Sequence, residues 1–300
     1  MEESTQALTP GQVLASKYRV ESRLDGGGFA DVYLAQRLAD GLPVAIKALR
    51  LDVNHADPAA ADRFVREAAI VTHLKHPNLV QILDFGQSRD QVLYMVMERL
   101  TGRPLSAVIH DSAMTASRVL RILQQMLDAL VLAHGQGMIH RDLKPSNVYL
   151  CRVETPWPSG AGDWVKILDF GFAKGMGQAG QAIRASLTLE GAIVGTPGYV
   201  APELLQEGGI LSPRVDLYAV GVLGYEMLTG KPAFPGEGLE RASLQVIQDP
   251  EEPPPDIAEH PLYAVVQRLM CRDPLERYPN AEAALRALKG LDRSRGSLWS

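Results

Sequence analysis

The chain has 300 residues, a formal net charge of −5 and no run of basic residues, which argues against nucleic acid as a partner. Hydrophobic residues make up 46% of it, enough to bury a sizeable core in one large domain or two lobes. Two cysteines, Cys151 and Cys271, do not make a disulfide framework and fit a reducing compartment. The polar, acidic start MEESTQALTPGQ has no apolar stretch for a signal peptide, and the tempting run VLGYEML is short and broken by Glu226. The expectation is a cytoplasmic chain, or the cytoplasmic part of a longer membrane-anchored protein.

Residues 1–16 read as a loosely held tail. From Lys17 to Leu100, YRVESRL, DVYLAQRL, LPVAIKALRL, LVQILDFG and QVLYMVMERL alternate apolar and polar residues between Gly, Pro, Asn and Asp turns, a pattern that predicts strands. One helix interrupts them, DRFVREAAIVTHLK, with Phe64, Ala68, Val71 and Lys75 on a 3.6-residue period. After Leu100 the texture becomes helical, in SRVLRILQQMLDALVLAHGQG, VDLYAVGVLGYEMLTG and HPLYAVVQRLMCR. Residues 153–164, rich in Pro and Gly, read as a surface loop between two short strands. Residues 175–192 have no period and read as mobile, and 290–300 as a second tail. The fold class expected is α+β: a small antiparallel-sheet lobe over 17–100, then a larger, mostly helical lobe over 101–289.

Charged residues sit where the apolar pattern should forbid them. Lys47 shares a strand face with Ala45 and Leu49, and Glu67 lies on the helix stripe of Val71 and Leu74. Burying either alone costs several kcal/mol, and the cheapest arrangement pairs them. In GMIHRDLKPSNVYL a short strand runs into His140-Arg141-Asp142, then Lys144-Pro145-Ser146-Asn147, then another strand. VKILDFGFAK ends a strand with Asp169-Phe170-Gly171, where a carboxylate followed by glycine suits a cation ligand. Between Leu24 and Ala35, the glycines Gly26, Gly27 and Gly28 join two strands in a turn whose backbone N–H groups can approach phosphate, because glycine has no Cβ.

In order and spacing these segments resemble the eukaryotic-type (Hanks-type) protein kinase family, in a bacterial serine/threonine flavour, over about residues 18–288. Val44-Ala45-Ile46-Lys47 resembles the strand-three lysine motif and Glu67 its helix C partner. Residues His140 to Asn147 resemble the catalytic loop, and Asp169-Phe170-Gly171 the metal-binding triplet. GTPGYVAPE, ending at Glu203, resembles the close of the activation segment (169–203). Asp216 resembles the helix F aspartate that anchors the catalytic loop, and Arg277 the arginine that pairs with Glu203.

The resemblance implies a bilobal kinase fold and transfer of the γ-phosphate of ATP to serine and threonine hydroxyls of proteins. It implies that Lys47, held by Glu67, grips the α- and β-phosphates. Asn147 and Asp169 hold Mg²⁺, with Mn²⁺ as an alternative; Asp142 takes or orients the hydroxyl proton; Lys144 neutralises the γ-phosphate. Adenine lies between Val32 and Ala45 above and Tyr149 below, near Leu24. It bonds backbone groups of Glu98 and Leu100 beyond the gatekeeper Met97. Tyr149 is bulkier than the aliphatic residue usual in the family.

Counting back from Val32, the family's three glycines fall on Asp25, Gly27 and Ala30, so one of three is kept. Two unit charges 8 Å apart in water interact by only about 0.5 kcal/mol, so the expectation is weakened or unusually metal-dependent ATP affinity with catalysis retained. That departure motivates the alternative of a pseudokinase, a nucleotide-binding scaffold with weak or no catalysis. Small-molecule phosphotransferases share the lobes but lack the Ala-Pro-Glu segment and the helix F aspartate. Arg141 before Asp142 marks family members ordered by activation-segment phosphorylation, here expected at Thr188, with Ser186 nearby and Glu190 supplying a fixed charge. Trans-autophosphorylation implies a homodimer.

Overall fold

The computed structural model describes residues 7–26, 30–49, 68, 72–88, 92–109, 113–152, 162–169, 198–206, 208–236 and 238–293. Among these, two compact units separate: one holds residues up to Lys75 together with Val80–Thr101, and the other His76–Leu79 and the residues from Gly102 onward.

The first unit is built on an antiparallel sheet. Its strands are β1 (Val13–Leu14), β2 (Tyr18–Gly26), β3 (Ala30–Arg37), β4 (Pro43–Leu49), β5 (Ile82–Gln87) and β6 (Leu93–Glu98), in the order β1-β2-β3-β4-β6-β5. Alternation along the strands sends Tyr33, Ala35, Val44, Ile46, Ala48, Tyr94 and Val96 to one face, where they form a core with Leu8, Leu14, Tyr18 and Val20. The opposite face carries Val32 beside Lys47, Lys47 beside Met95, and Ala45 beside Met97. A turn through Gly41, at φ 72°, closes the β3–β4 hairpin, with Asp40 Oδ1 accepting from Leu42 N–H at 3.1 Å.

Residues 7–16 are part of this body, which corrects their reading as a tail. Leu8 is 1% exposed and its N–H donates to the Tyr33 hydroxyl at 3.1 Å. Gly11 N–H donates to Val20 O and Val20 N–H to Gln12 O, at 2.8 and 2.9 Å. In ALTPGQVLAS the two buried leucines, Leu8 and Leu14, stand six residues apart with Thr, Pro, Gly and Gln among the residues between them, a spacing that carries neither a helical nor a strand period. Of the helix expected from Asp62, only Ala68 and Thr72–Lys75 are described; Ala68 is fully buried.

The second unit pairs β7 (Gly102–Pro104), β8 (Val148–Arg152) and β9 (Asp163–Ile167) in that order, antiparallel. Its helices are α1 (Leu105–Ile109), α2 (Ala116–Gly135), α3 (Arg214–Thr229), α4 (Gly238–Ile247), α5 (Pro255–Ala258), α6 (Pro261–Leu269) and α7 (Ala281–Arg293). From Val215 to Leu228 every residue of α3 is buried, as expected of a helix apolar all round. Gly221 and Gly224 let α6 and Met270 at its end come close: a Cβ on Gly221 would lie 2.7 Å from Met270 Cγ, and one on Gly224 2.9 Å from Val266 Cγ2.

Three boundaries differ from the sequence reading. Asp163 and Trp164, read as loop, begin β9. The helix α7 runs through Gly290 to Arg293, into the stretch read as a tail. The segment His76–Leu79, read with the sheet lobe, belongs to the helical unit for a definite reason. Leu79 forms a parallel bridge with Ile167, Asn78 Nδ2 donates to Val165 O and Gln125 Oε1, both at 2.9 Å, and Trp164 Nε1 donates to Pro77 O at 3.0 Å.

Candidate active site

The catalytic loop starts from a backbone that side chains do not favour. Arg141 has φ 65° and Asp169 φ 55°, left-handed conformations that cost a non-glycine residue about 1–2 kcal/mol each. Asp216, on the first turn of α3 and 1% exposed, offsets that cost at Arg141. Its Oδ2 accepts from His140 N–H at 2.8 Å and its Oδ1 from Arg141 N–H at 2.9 Å. The His134 ring, at the end of α2, brings Nε2 to 2.8 Å from the same Oδ2. A carboxylate holding two adjacent amides fixes the peptide between them, and the helix N-terminus favours its charge.

His140 ties that loop to the strand end. Its ring is fully buried: Nε2 donates to Leu168 O at 2.7 Å, and Nδ1 accepts from Asp142 N–H at 3.2 Å. One neutral tautomer satisfies both bonds, and burial pushes the imidazole below its ordinary pKa. Leu168 N–H donates in turn to Asn147 O at 2.8 Å, so Asp169, the next residue, is set against the catalytic loop.

The chemistry-bearing side chains meet on this frame. Asn147 Nδ2 donates to Asp142 O at 2.8 Å and to Asp142 Oδ2 at 3.1 Å, and Lys144 Nζ lies 3.0 Å from the same Oδ2. The short helical turn Pro145–Asn147, opened by a proline at its first position, brings Asn147 back toward Asp142. Because the amide nitrogen is committed to Asp142, Asn147 presents Oδ1 to other partners, and this oxygen, like the Asp169 carboxylate, is a hard ligand of the kind divalent cations take.

Further along, Arg277 and Glu203 form a two-point ion pair, Nη1–Oε1 2.8 Å and Nη2–Oε2 2.7 Å. The fully buried guanidinium also donates to Cys271 O, Arg214 O and Arg272 O, at 2.7, 3.0 and 3.1 Å. Two groups went unnoticed in the sequence. Tyr199 donates its hydroxyl to Glu226 Oε2 at 2.7 Å, and Gln245, fully buried, bonds the backbone around Gly198. Glu226 interrupts an otherwise apolar helix, which was a legible signal; Gln245 carried none.

In the first unit, Lys47, Val32, Ala45 and Met97 share the sheet face away from the core, with Asp25 in register with Val32 on that face. Asp25 Oδ1 accepts from Gly26 N–H at 2.8 Å. Gly26 is roofed by an ion pair, Arg23 Nη2 to the fully buried Asp31 Oδ1 at 2.7 Å, which occupies the place of a Cβ. Leu24 is exposed, and Glu98 spends its N–H on Gln81 O at 3.0 Å. Tyr149 lies on β8 in register with Pro104 and Lys166, in the second unit, and Leu100 follows β6 in the first. Gly27, Gly28, Glu67, Ser186 and Thr188 lie outside the described residues.

The chain belongs to the protein kinase domain family, which matches residues 18–287. It is 36% identical over 294 residues to the serine/threonine-protein kinase pkn3 of Myxococcus xanthus, covering 95% of this chain and 52% of that protein. It is 33% identical over 289 residues to the serine/threonine-protein kinase PknA of Mycobacterium tuberculosis, covering 92% of this chain and 63% of that protein. The chain therefore spans about half to two-thirds of the length of these two relatives. The crystal structure of a mutant of the Mycobacterium tuberculosis PknI kinase domain superposes with a TM-score of 0.68 at 25% identity, covering 96% of this chain and all of that one. The family and this likeness identify the fold expected from the sequence.

Proposed function

We propose that the chain transfers the γ-phosphoryl group of ATP to serine and threonine hydroxyls of proteins. The observation that carries this reading is the closed network of Asp142, Lys144 and Asn147, held by Asp216 and by Leu168. Phosphoryl transfer spreads negative charge over the moving group, so positioning and counter-charge supply most of the catalysis. The Asp142 carboxylate orients the acceptor hydroxyl and takes its proton as the hydroxyl oxygen bonds to the γ-phosphorus. The bond to the β-phosphate oxygen breaks, and ADP leaves with that electron pair. Lys144, beside Asp142, neutralises the γ-phosphate. Lys47, partnered by Glu67, grips the α- and β-phosphates. A divalent cation, Mg²⁺ or Mn²⁺, would be held by Asn147 Oδ1 and Asp169 and would supply positive charge against the phosphate oxygens.

On the first unit, adenine is received by the sheet face of Val32 and Ala45, by Leu24, and by backbone groups of Glu98 and Leu100 beyond Met97. The stretch GTPGYVAPE receives the protein substrate. Thr188, with Ser186 beside it, is the autophosphorylation site read by Arg141, and one copy modifies another in a transient homodimer. No described helix is long and apolar enough to cross a membrane. Because the reaction consumes ATP, it is assigned to the cytoplasm, where ATP is available.

The test is radiolabelled ATP with a generic basic protein, comparing wild type with Asp142→Asn and Lys47→Met. Label is expected to fall by about a hundredfold or more in both variants, and mapping should find wild-type phosphate between residues 175 and 195. Equal label in all three proteins would point instead to the nucleotide-binding scaffold.

A further inference from the structure

Gln245 has no exposed surface, and it sits on the C-terminal half of α4. A buried amide must find partners for two N–H bonds and a carbonyl. Here they come from one short stretch and one tyrosine. Oε1 accepts from Gly198 N–H at 2.9 Å; Nε2 donates to Gly198 O at 2.7 Å and reaches Val200 O and the Tyr218 hydroxyl, each at 3.2 Å.

One helical turn earlier on the same face of α4, Arg241 covers Gly198, where a Cβ would lie 2.9 Å from Arg241 Cδ and where φ is 108°. Tyr199, between the two bonded peptides, is tied to Glu226 on α3. An apolar side chain would fill Gln245's place without the desolvation cost of an amide. What the amide adds is a fixed backbone shape.

We infer that Gln245 is a positioning residue for the protein substrate, holding Gly198–Val200 in the form that receives the acceptor peptide. This rests on the kinase reading above, in which that stretch is the docking site for protein. The side chain sends all its polar bonds to Gly198, Val200 and Tyr218. Its removal therefore acts on peptide recognition, leaving the nucleotide end of the reaction as it is.

The test compares the full chain with Gln245→Met, which keeps the volume and loses every polar bond. Gln245→Glu serves as the second variant: buried against two carbonyls it is held as the neutral acid, which keeps the acceptor for Gly198 N–H and one O–H donor in place of the two N–H donors. In Gln245→Met, KM for a protein substrate should rise at least about tenfold while KM for ATP stays within about twofold. Gln245→Glu should fall between it and wild type. Amide exchange at Gly198 supplies a readout independent of activity, faster by about tenfold or more in Gln245→Met and restored toward wild type in Gln245→Glu. Unchanged protein KM, unchanged exchange at Gly198, or a loss confined to kcat overturns the inference. Failure of Gln245→Met to fold moves the test to Gln245→Glu alone, where an unchanged protein KM is equally fatal. A wild-type chain that labels no protein fails the kinase reading itself, whereas an active wild type with indifferent Gln245 variants fails only this inference.

Discussion

Glu226 is a carboxyl group 6% exposed on a helix otherwise built of apolar residues. Burial pushes it up to about 7 from an ordinary 4.5, with the Tyr199 hydroxyl bond and the Arg241 charge opposing the rise. Between those two values the unfolded chain has given up this proton while the folded chain keeps it. Stability from this group is thus whole below pH 4.5, declines as pH climbs, and is gone above about 7, a loss on the order of 3 kcal/mol. Glu226→Gln has no proton to lose. Its melting temperature relative to wild type should therefore rise by at least about 4 °C between pH 5 and pH 8, measured by calorimetry. A difference independent of pH would mean that the carboxyl titrates normally. His140 titrates in the opposite sense: its depressed pKa makes it stabilising above 6.5, with loss toward acid as protonation of Nδ1 sets it against Asp142 N–H.

Elements are where the sequence was most readable, and where it misled for identifiable reasons. The strands β2 to β6 and the helices α2, α3 and α6 follow from period-two and period-3.6 patterns, because each buries one face or, for α3, its whole circumference. The short helix α1 carries no period of its own, whereas α7, with Ala281, Ala284, Leu285 and Leu288 at helical spacing, and α4 carry a legible one that the sequence reading did not use. The strand β1, two residues long, exists by pairing with β2 and not by any local preference. The ordered motifs pointed to two contacts that the structure contains, Asp216 on the catalytic-loop amides and Arg277 on Glu203, and to the segment in which Asp142, Lys144 and Asn147 meet. The left-handed turn at Arg141 and the buried tautomer of His140 are tertiary facts with no local signature.

The packing of α3 is tight enough to test directly. With Leu269 Cβ at 2.8 Å and Met270 N at 3.0 Å from the position of an added methyl, Gly221→Ala forces α6 and its C-terminal residues outward. The cost should be about 2 kcal/mol despite alanine's better helix propensity. Denaturant titration checks it, and a stabilised variant would refute the contact.

At the scale of the molecule, the first unit depends on its beginning. Leu8 and Leu14, each 1% exposed, close the sheet core, and Ala7 N–H reaches the buried Asp31 Oδ2 at 3.3 Å. Asp31 in turn holds Arg23 over Gly26, at the root of the glycine turn. Deleting residues 1–11 should lower stability by about 3 kcal/mol through the lost leucine and leave a buried carboxylate with fewer partners. Thermal melting of the truncated chain measures this. A melt indistinguishable from that of the full chain would return those residues to the status of a tail.

The anchoring carboxylate of Asp216 has a wider consequence. It is carried by a helix with almost no outward surface, wedged where glycines let its neighbours close in. A strained loop fastened to such a helix has no slack of its own to draw on. Damage inside the bundle, Gly221→Ala included, should therefore lower turnover together with melting temperature.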